Sequence, residues 1–217
     1  MAWPPVRTAI SEMDAAALAA RPAGTPLVSE VLYPREAYES EAKPDHDKVL
    51  QDTLHSQPCT TAVAVGAYDV FAQAGLRPDF TAGHSLGELA ALYAGGVLSR
   101  EATFELVCHR ATAMASASKS AKSEAMSAII GPNAAQLKVV SDGVWLANVN
   151  EPSQVVISGS EGGVAAESKL LTAKGFRVVP LKVSGAFHTP LMKDASEAFG
   201  KCVRAKQATF KAAKAKV

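Results

Sequence analysis

Gly83-His84-Ser85-Leu86-Gly87 has the G-x-S-x-G pattern of a nucleophile elbow. Its glycines permit a sharp strand-to-helix turn that lifts a serine Oγ clear of the backbone. The Leu86 N–H can then donate to a developing oxyanion, and a helix starting there adds its positive end. The flanks fit: Asp79 to Ala82 reads as a short strand, and Glu88 to Ala94 as a helix ended by Gly95-Gly96. The chemistry such a turn supports is acyl transfer through Ser85.

A nucleophilic serine needs a base, and the histidines are His46, His55, His84, His109 and His188. His46 lies in an acidic loop and His109 on the polar side of its helix, so both read as surface residues. His55 precedes a helix. His84 is next to Ser85, and adjacent side chains in a tight turn diverge. His188 follows a predicted strand, in the kind of strand-end loop where α/β enzymes present catalytic groups. A lone histidine there is either a structural cap or a base; beside an elbow it reads as the base. Glu151, Glu161, Glu167 and Asp142 fall in an inserted unit or its turns, so a Ser–His dyad is as good a reading as a triad. Arg110 shares a helical face with Leu106, Val107 and Met114. An arginine there either snorkels to water or meets an anion inside the fold, and its fork matches a carboxylate.

The elements that must hold these residues are legible in outline. Ser11 to Ala20 predicts a short helix, and Glu36 to Asp47 a polar loop. Gln57-Pro58 is read as opening a buried helix, with Pro58 at its first position, that runs to Gly75. Ser99 can cap a helix from Arg100 to about Ser116. A Ser/Lys/Ala-rich linker then runs to Ser123. Strand Met126–Ile130, helix Asn133–Val140, strands Val144–Val149 and Gln154–Ser158, helix Val164–Lys174 and strand Phe176–Val183 follow in βαββαβ order. Thr189-Pro190 opens a last helix. After Glu197 the chain carries Lys201, Arg204, Lys206, Lys211, Lys214 and Lys216 without an acid. That run is a solvated face or exposed end, or a docking patch for an acidic partner. The expected class is α/β: a hydrolase-like large subdomain (1–123 and 188–217) with a parallel sheet and the elbow, and an inserted ferredoxin-like subdomain (124–187).

Composition narrows the class. The 217 residues are 48% hydrophobic, enough to bury a sizeable core without staples. Lys+Arg of 22 against Asp+Glu of 21 argues against a nucleic-acid footprint. No apolar run reaches the ~18 residues of a membrane span. Cys59, Cys108 and Cys202 are odd in number and widely spaced, so they read as small hydrophobes in a reducing, cytoplasmic compartment, with no disulfide framework or metal site.

Taken together, these residues resemble the malonyl-CoA:acyl-carrier-protein transacylase family. The likeness rests on Gln57-Pro58, on Gly83 to Glu88, on Phe104 to Met114 with Arg110, on Asn150 to Gly159, and on Gly185 to Met192. Val28 to Pro34 and Val144 to Leu146 look closest to the acyltransferase domains of polyketide-synthase-like polyunsaturated fatty acid synthases. The resemblance implies that Ser85 attacks malonyl-CoA, that His188 is the base, and that Leu86 N–H is an oxyanion donor. It implies that Arg110 holds the malonyl carboxylate and that Gln57, His84 and Phe187 line the pocket, with Phe187 crowding a branched α-carbon. No bound cofactor is implied; the acceptor is the phosphopantetheine thiol of an acyl carrier protein, and the neighbours are domains of a multidomain synthase. A serine acyl hydrolase would share Ser85 and His188 without needing Arg110, and an inactive docking fragment would need neither. The family's opening strand and Gly-Gln-Gly loop have no counterpart before Trp3, and the family continues past residue 217. The expectation is an internal piece, lacking one oxyanion donor and a poor catalyst alone.

Overall fold

The computed structural model describes residues 3–34, 46–120, 123–139, 141–183 and 185–217. They form two compact units, Met1–Thr112 with Ala198–Val217, and Ala113–Glu197.

The first unit is helical around its core. Helix α1 (Pro4–Ala20) starts earlier than its Ser11 expectation, because two prolines fill the first helical positions, where an N–H would be unpaired anyway. Its stripe Ala9, Ile10, Met13 and Ala17 is buried and packs on α4 (Thr53–Gln73). Gly66 permits the approach: a Cβ there would lie 2.6 Å from Val6 Cα. Two short helices intervene, α2 (Val28–Leu32) and α3 (His46–Gln51). Most of the polar stretch expected at Glu36–Asp47 lies outside the described residues, and His46 and Asp47 already belong to α3.

Helix α4 corrects the reading of Pro58. Asp52 is the N-cap, its carboxylate accepting from Leu54 N–H at 2.8 Å, so the helix starts at Thr53 and Pro58 lies inside it. Burial is also one-sided: Ala62 and Val65 are buried, whereas Val63 is 40% exposed. Helices α5 (Gly87–Ala94) and α6 (Arg100–Ser120) follow. Ser99 caps α6, its Oγ accepting from Ala102 N–H at 3.1 Å. The expected linker from Ser116 is helical as far as Ser120, since alanine and lysine favour helix and no Gly or Pro breaks it.

Cys59 and Cys108 are buried in this core and Cys202 packs at its edge; all three are free thiols. Burial pushes Cys59 and Cys108 up to about 11, which leaves both as thiols at neutral pH. Among the described residues, the strand expected at Asp79–Ala82 is reduced to one parallel bridge, Phe80 with Lys216. Thr81 N–H donates to Lys216 O and Lys216 N–H to Asp79 O. A strand exists through its ladder, and this ladder is one rung long. The basic tail is no loose end: Lys206 pairs with Glu105, Lys216 sits 5.3 Å from the Phe80 ring centroid, and Lys211 and Lys214 bond by backbone to Val97 and Gly95.

The second unit is a four-stranded antiparallel sheet in the order β2-β3-β1-β4, from β1 (Glu124–Ile130), β2 (Val144–Glu151), β3 (Gln154–Ser160) and β4 (Arg177–Pro180). Register runs Ala128 opposite Val156 and Val179. Helix α7 (Glu161–Ala173), capped by Ser160, covers it through Val164 and Leu171, which pack with Ile129, Val155 and Ile157. That strand order is the one the βαββαβ pattern requires, but the helix expected at Asn133–Val140 shrinks to a 3₁₀ turn, Ala134–Gln136. Asn133 takes a φ of 58° as the residue that leads into that turn, so the expected helix does not begin at it. The last helix, α8 (Lys193–Lys206), follows a 3₁₀ turn at Pro190–Met192.

Candidate active site

The elbow is built on a backbone contact that only glycine allows. A Cβ on Gly83 would sit 2.0 Å from the Gly87 carbonyl carbon and oxygen. Within that turn Ser85 adopts a φ of 54°, the left-handed region that side chains disfavour. Gly87 N–H donates to His84 O at 2.9 Å, Glu88 N–H to Ser85 O, and Leu89 N–H to Leu86 O. The Leu86 N–H is not among these turn bonds, and it opens α5 as the N-cap residue. His84 is exposed.

The two glycines differ, which gives a prediction. A Cβ on Gly87 would meet nothing within 4 Å. Gly83→Ala is expected to lower stability by roughly 1–3 kcal/mol, as an overpacked site does, whereas Gly87→Ala keeps the melting temperature of the parent. Thermal unfolding of the two variants checks this; equal losses would show that the elbow is not held by the Gly83 contact.

Arg110 resolves the choice left by its helical face. Its guanidinium does not run out to water: Nη2 donates to Ser85 Oγ at 2.9 Å and Nη1 to Gln57 Oε1 at 2.6 Å. Gln57 is buried, and its Nε2 donates to Thr53 Oγ1 at 2.6 Å. Burial pulls Arg110 below the ordinary arginine value, with the Glu88 carboxylate opposing that fall. A partly desolvated guanidinium beside a serine hydroxyl can take an anion on a group brought to that hydroxyl. The structure thus brings Ser85, Leu86, Arg110 and Gln57 together in the first unit. Thr53 was missed by sequence reasoning, although it stands one turn before Gln57 on the same face.

His188 and Phe187 lie in the second unit. His188 is exposed with a φ of 60°. The strained turn is tied on both sides: Thr189 Oγ1 donates to Ala186 O at 2.7 Å, and Ala186 N–H donates to Glu124 Oε2 at 2.7 Å. Glu124 carried no signal in the sequence, since nothing local pairs the start of a strand with a loop so distant in the chain. No group of three or more His, Cys, Asp or Glu able to hold a metal occurs among the described residues, and none of their helices is long and apolar enough to cross a membrane.

Residues 7–216 match the acyl transferase domain model. The chain is 47% identical over 99% of its length to a polyunsaturated fatty acid synthase polypeptide of Thraustochytrium sp., covering 8% of that protein. It is 42% identical over 67% of its length to the malonyl CoA-acyl carrier protein transacylase of Bacillus subtilis, of which it covers 48%. It therefore spans about half of that enzyme and a small part of the synthase. Among solved structures, an acyl carrier protein S-malonyltransferase of Vibrio cholerae superposes with a TM-score of 0.77 at 30% identity, over 99% of this chain and 66% of that one. These likenesses carry an α/β fold of sheet and helices, and with the match across nearly all its residues the chain belongs to the acyl transferase domain family.

Proposed function

We propose that this chain moves a malonyl group from malonyl-CoA to an acyl carrier protein through Ser85, working in the cytoplasm within a multidomain synthase of fatty acids or polyketides. The observation that carries the proposal is the half-buried Arg110 guanidinium 2.9 Å from Ser85 Oγ. A hydrolase of simple acyl esters needs no cation there; an enzyme whose acyl group ends in a carboxylate does.

In this reading Ser85 Oγ attacks the thioester carbonyl of malonyl-CoA while His188 takes its proton. The tetrahedral oxyanion receives the Leu86 N–H at the positive end of α5. Collapse expels the CoA thiolate, which leaves with the proton from His188. The malonyl-Ser85 ester is then attacked by the phosphopantetheine thiol of an acyl carrier protein, with His188 accepting the thiol proton and returning it to Ser85. Arg110 grips the free carboxylate, Gln57 and His84 line the pocket, and Phe187 leaves no room for a branched α-carbon. No cofactor enters: malonyl-CoA is substrate and the pantetheine thiol is acceptor. We assign the large catalytic subdomain to residues 1–123 and 188–217, and the small one to 124–187.

The test is intact mass of the full chain after malonyl-CoA, followed by a carrier protein bearing its pantetheine thiol. The expected result is one malonyl group per chain, which then moves to the carrier. Free malonate with no malonyl-carrier would make the protein a hydrolase, and no adduct at all would refute the reading.

A further inference from the structure

The Arg110–Ser85 contact depends on a residue that touches neither substrate nor Ser85. Arginine can only donate, so the Gln57 atom facing Arg110 Nη1 must be the amide oxygen. The amide NH₂ then points the other way and needs an acceptor in a buried place. The Thr53 hydroxyl is that acceptor, at 2.6 Å, and both residues are 4% exposed. The backbone adds a reason for a side-chain tie at this turn. Pro58 lies inside α4 and has no N–H, so the Leu54 carbonyl loses its helical donor, and the residue before a proline is biased away from helix. That residue is Gln57. The Thr53–Gln57 bond spans the turn where the backbone ladder is interrupted.

We propose that Thr53 is a positioning residue: its hydroxyl fixes which way the Gln57 amide faces, and through Gln57 it holds Arg110 in register with Ser85. The inference rests on reading Arg110 as the group that selects a carboxylate-bearing acyl chain. Without the hydroxyl, Gln57 has two courses. It keeps its orientation and leaves a buried NH₂ without the Thr53 acceptor, or it flips and sets NH₂ against the Arg110 donors. Either course loosens the guanidinium.

The test compares Thr53→Val, which keeps shape and removes the acceptor, with Thr53→Ser, which keeps the acceptor. In the full chain, Thr53→Val should raise KM for malonyl-CoA by up to about tenfold, the upper value of one lost neutral hydrogen bond transmitted through Gln57. Acetyl-CoA labelling should be unchanged, and Thr53→Ser should restore the malonyl preference. A second readout needs no turnover: modification of Arg110 by phenylglyoxal, followed by peptide mass spectrometry, should be faster in Thr53→Val and normal in Thr53→Ser. If Thr53→Val does not fold by circular dichroism, Thr53→Ala serves in the same two assays. Normal Arg110 reactivity and normal malonyl preference in a folded variant lacking the hydroxyl would overturn the proposal. Faster Arg110 modification in a protein that forms no malonyl adduct would keep Thr53 as the positioning residue and remove the transferase reading.

Discussion

Ser85→Ala is expected to abolish the malonyl adduct completely while leaving the fold intact. The variant loses the hydroxyl that would attack the thioester. Both residues carry a Cβ, so the strain of a φ of 54° is common to parent and variant. The stability lost includes the charge-assisted hydrogen bond from Arg110, roughly 1.5–3 kcal/mol. Cys59 and Cys108 are poor competitors for the acyl group, since both are buried and their thiols are pushed up to about 11. Intact mass and peptide mapping after malonyl-CoA decide it. An adduct that survives in Ser85→Ala, or maps to Cys59 or Cys108, would show that the serine is not the nucleophile.

The second large effect belongs to Arg110→Ala. The guanidinium is half-buried and already aligned by Gln57, so little further ordering is needed when it meets a carboxylate. A charge-assisted hydrogen bond of roughly 1.5–3 kcal/mol corresponds to a ten- to hundredfold loss in malonyl kcat/KM. Acetyl transfer, which offers no anion, should be spared or improved. Side-by-side kinetics with malonyl-CoA and acetyl-CoA check this. Equal losses for both would make Arg110 a packing residue.

The parts of the site that were legible are those fixed by local geometry. Gly83 and Ser85 announce the elbow because a close backbone contact and a strained φ admit few residue types. Arg110 stood out because a charge on an apolar helical face demands a partner. What escaped was set by distant or competing groups. Asp52 draws the start of α4 ahead of Pro58, and a proline's preference for the first turn says nothing about a stronger cap upstream. Glu124 holds the His188 turn from another element altogether. In the small unit the apolar run Val155 to Ile157 and the turn after Glu151 gave the strands, while the helix at Asn133 failed because its residues form only a single 3₁₀ turn. The parallel sheet expected of the large subdomain is reduced, among the described residues, to the Phe80–Lys216 bridge, because a strand such as Asp79–Ala82 is defined by what lies beside it.

The pairing of that strand has a consequence for how the protein is made. Phe80 is matched to Lys216, Gly95 to Lys214 and Val97 to Lys211, while the unit Ala113–Glu197 is contiguous in the chain. On a ribosome adding roughly 5–20 residues per second, the segment before the elbow waits on the order of ten seconds for its partner. The inserted unit has all its residues in hand during that wait. The segment before the serine loop is therefore translated well ahead of its partner, and the backbone of Asp79 to Thr81 stays an open edge in the interval. Such an edge is a template for mispairing, so nascent-chain protection at this segment is a demand that the topology itself creates.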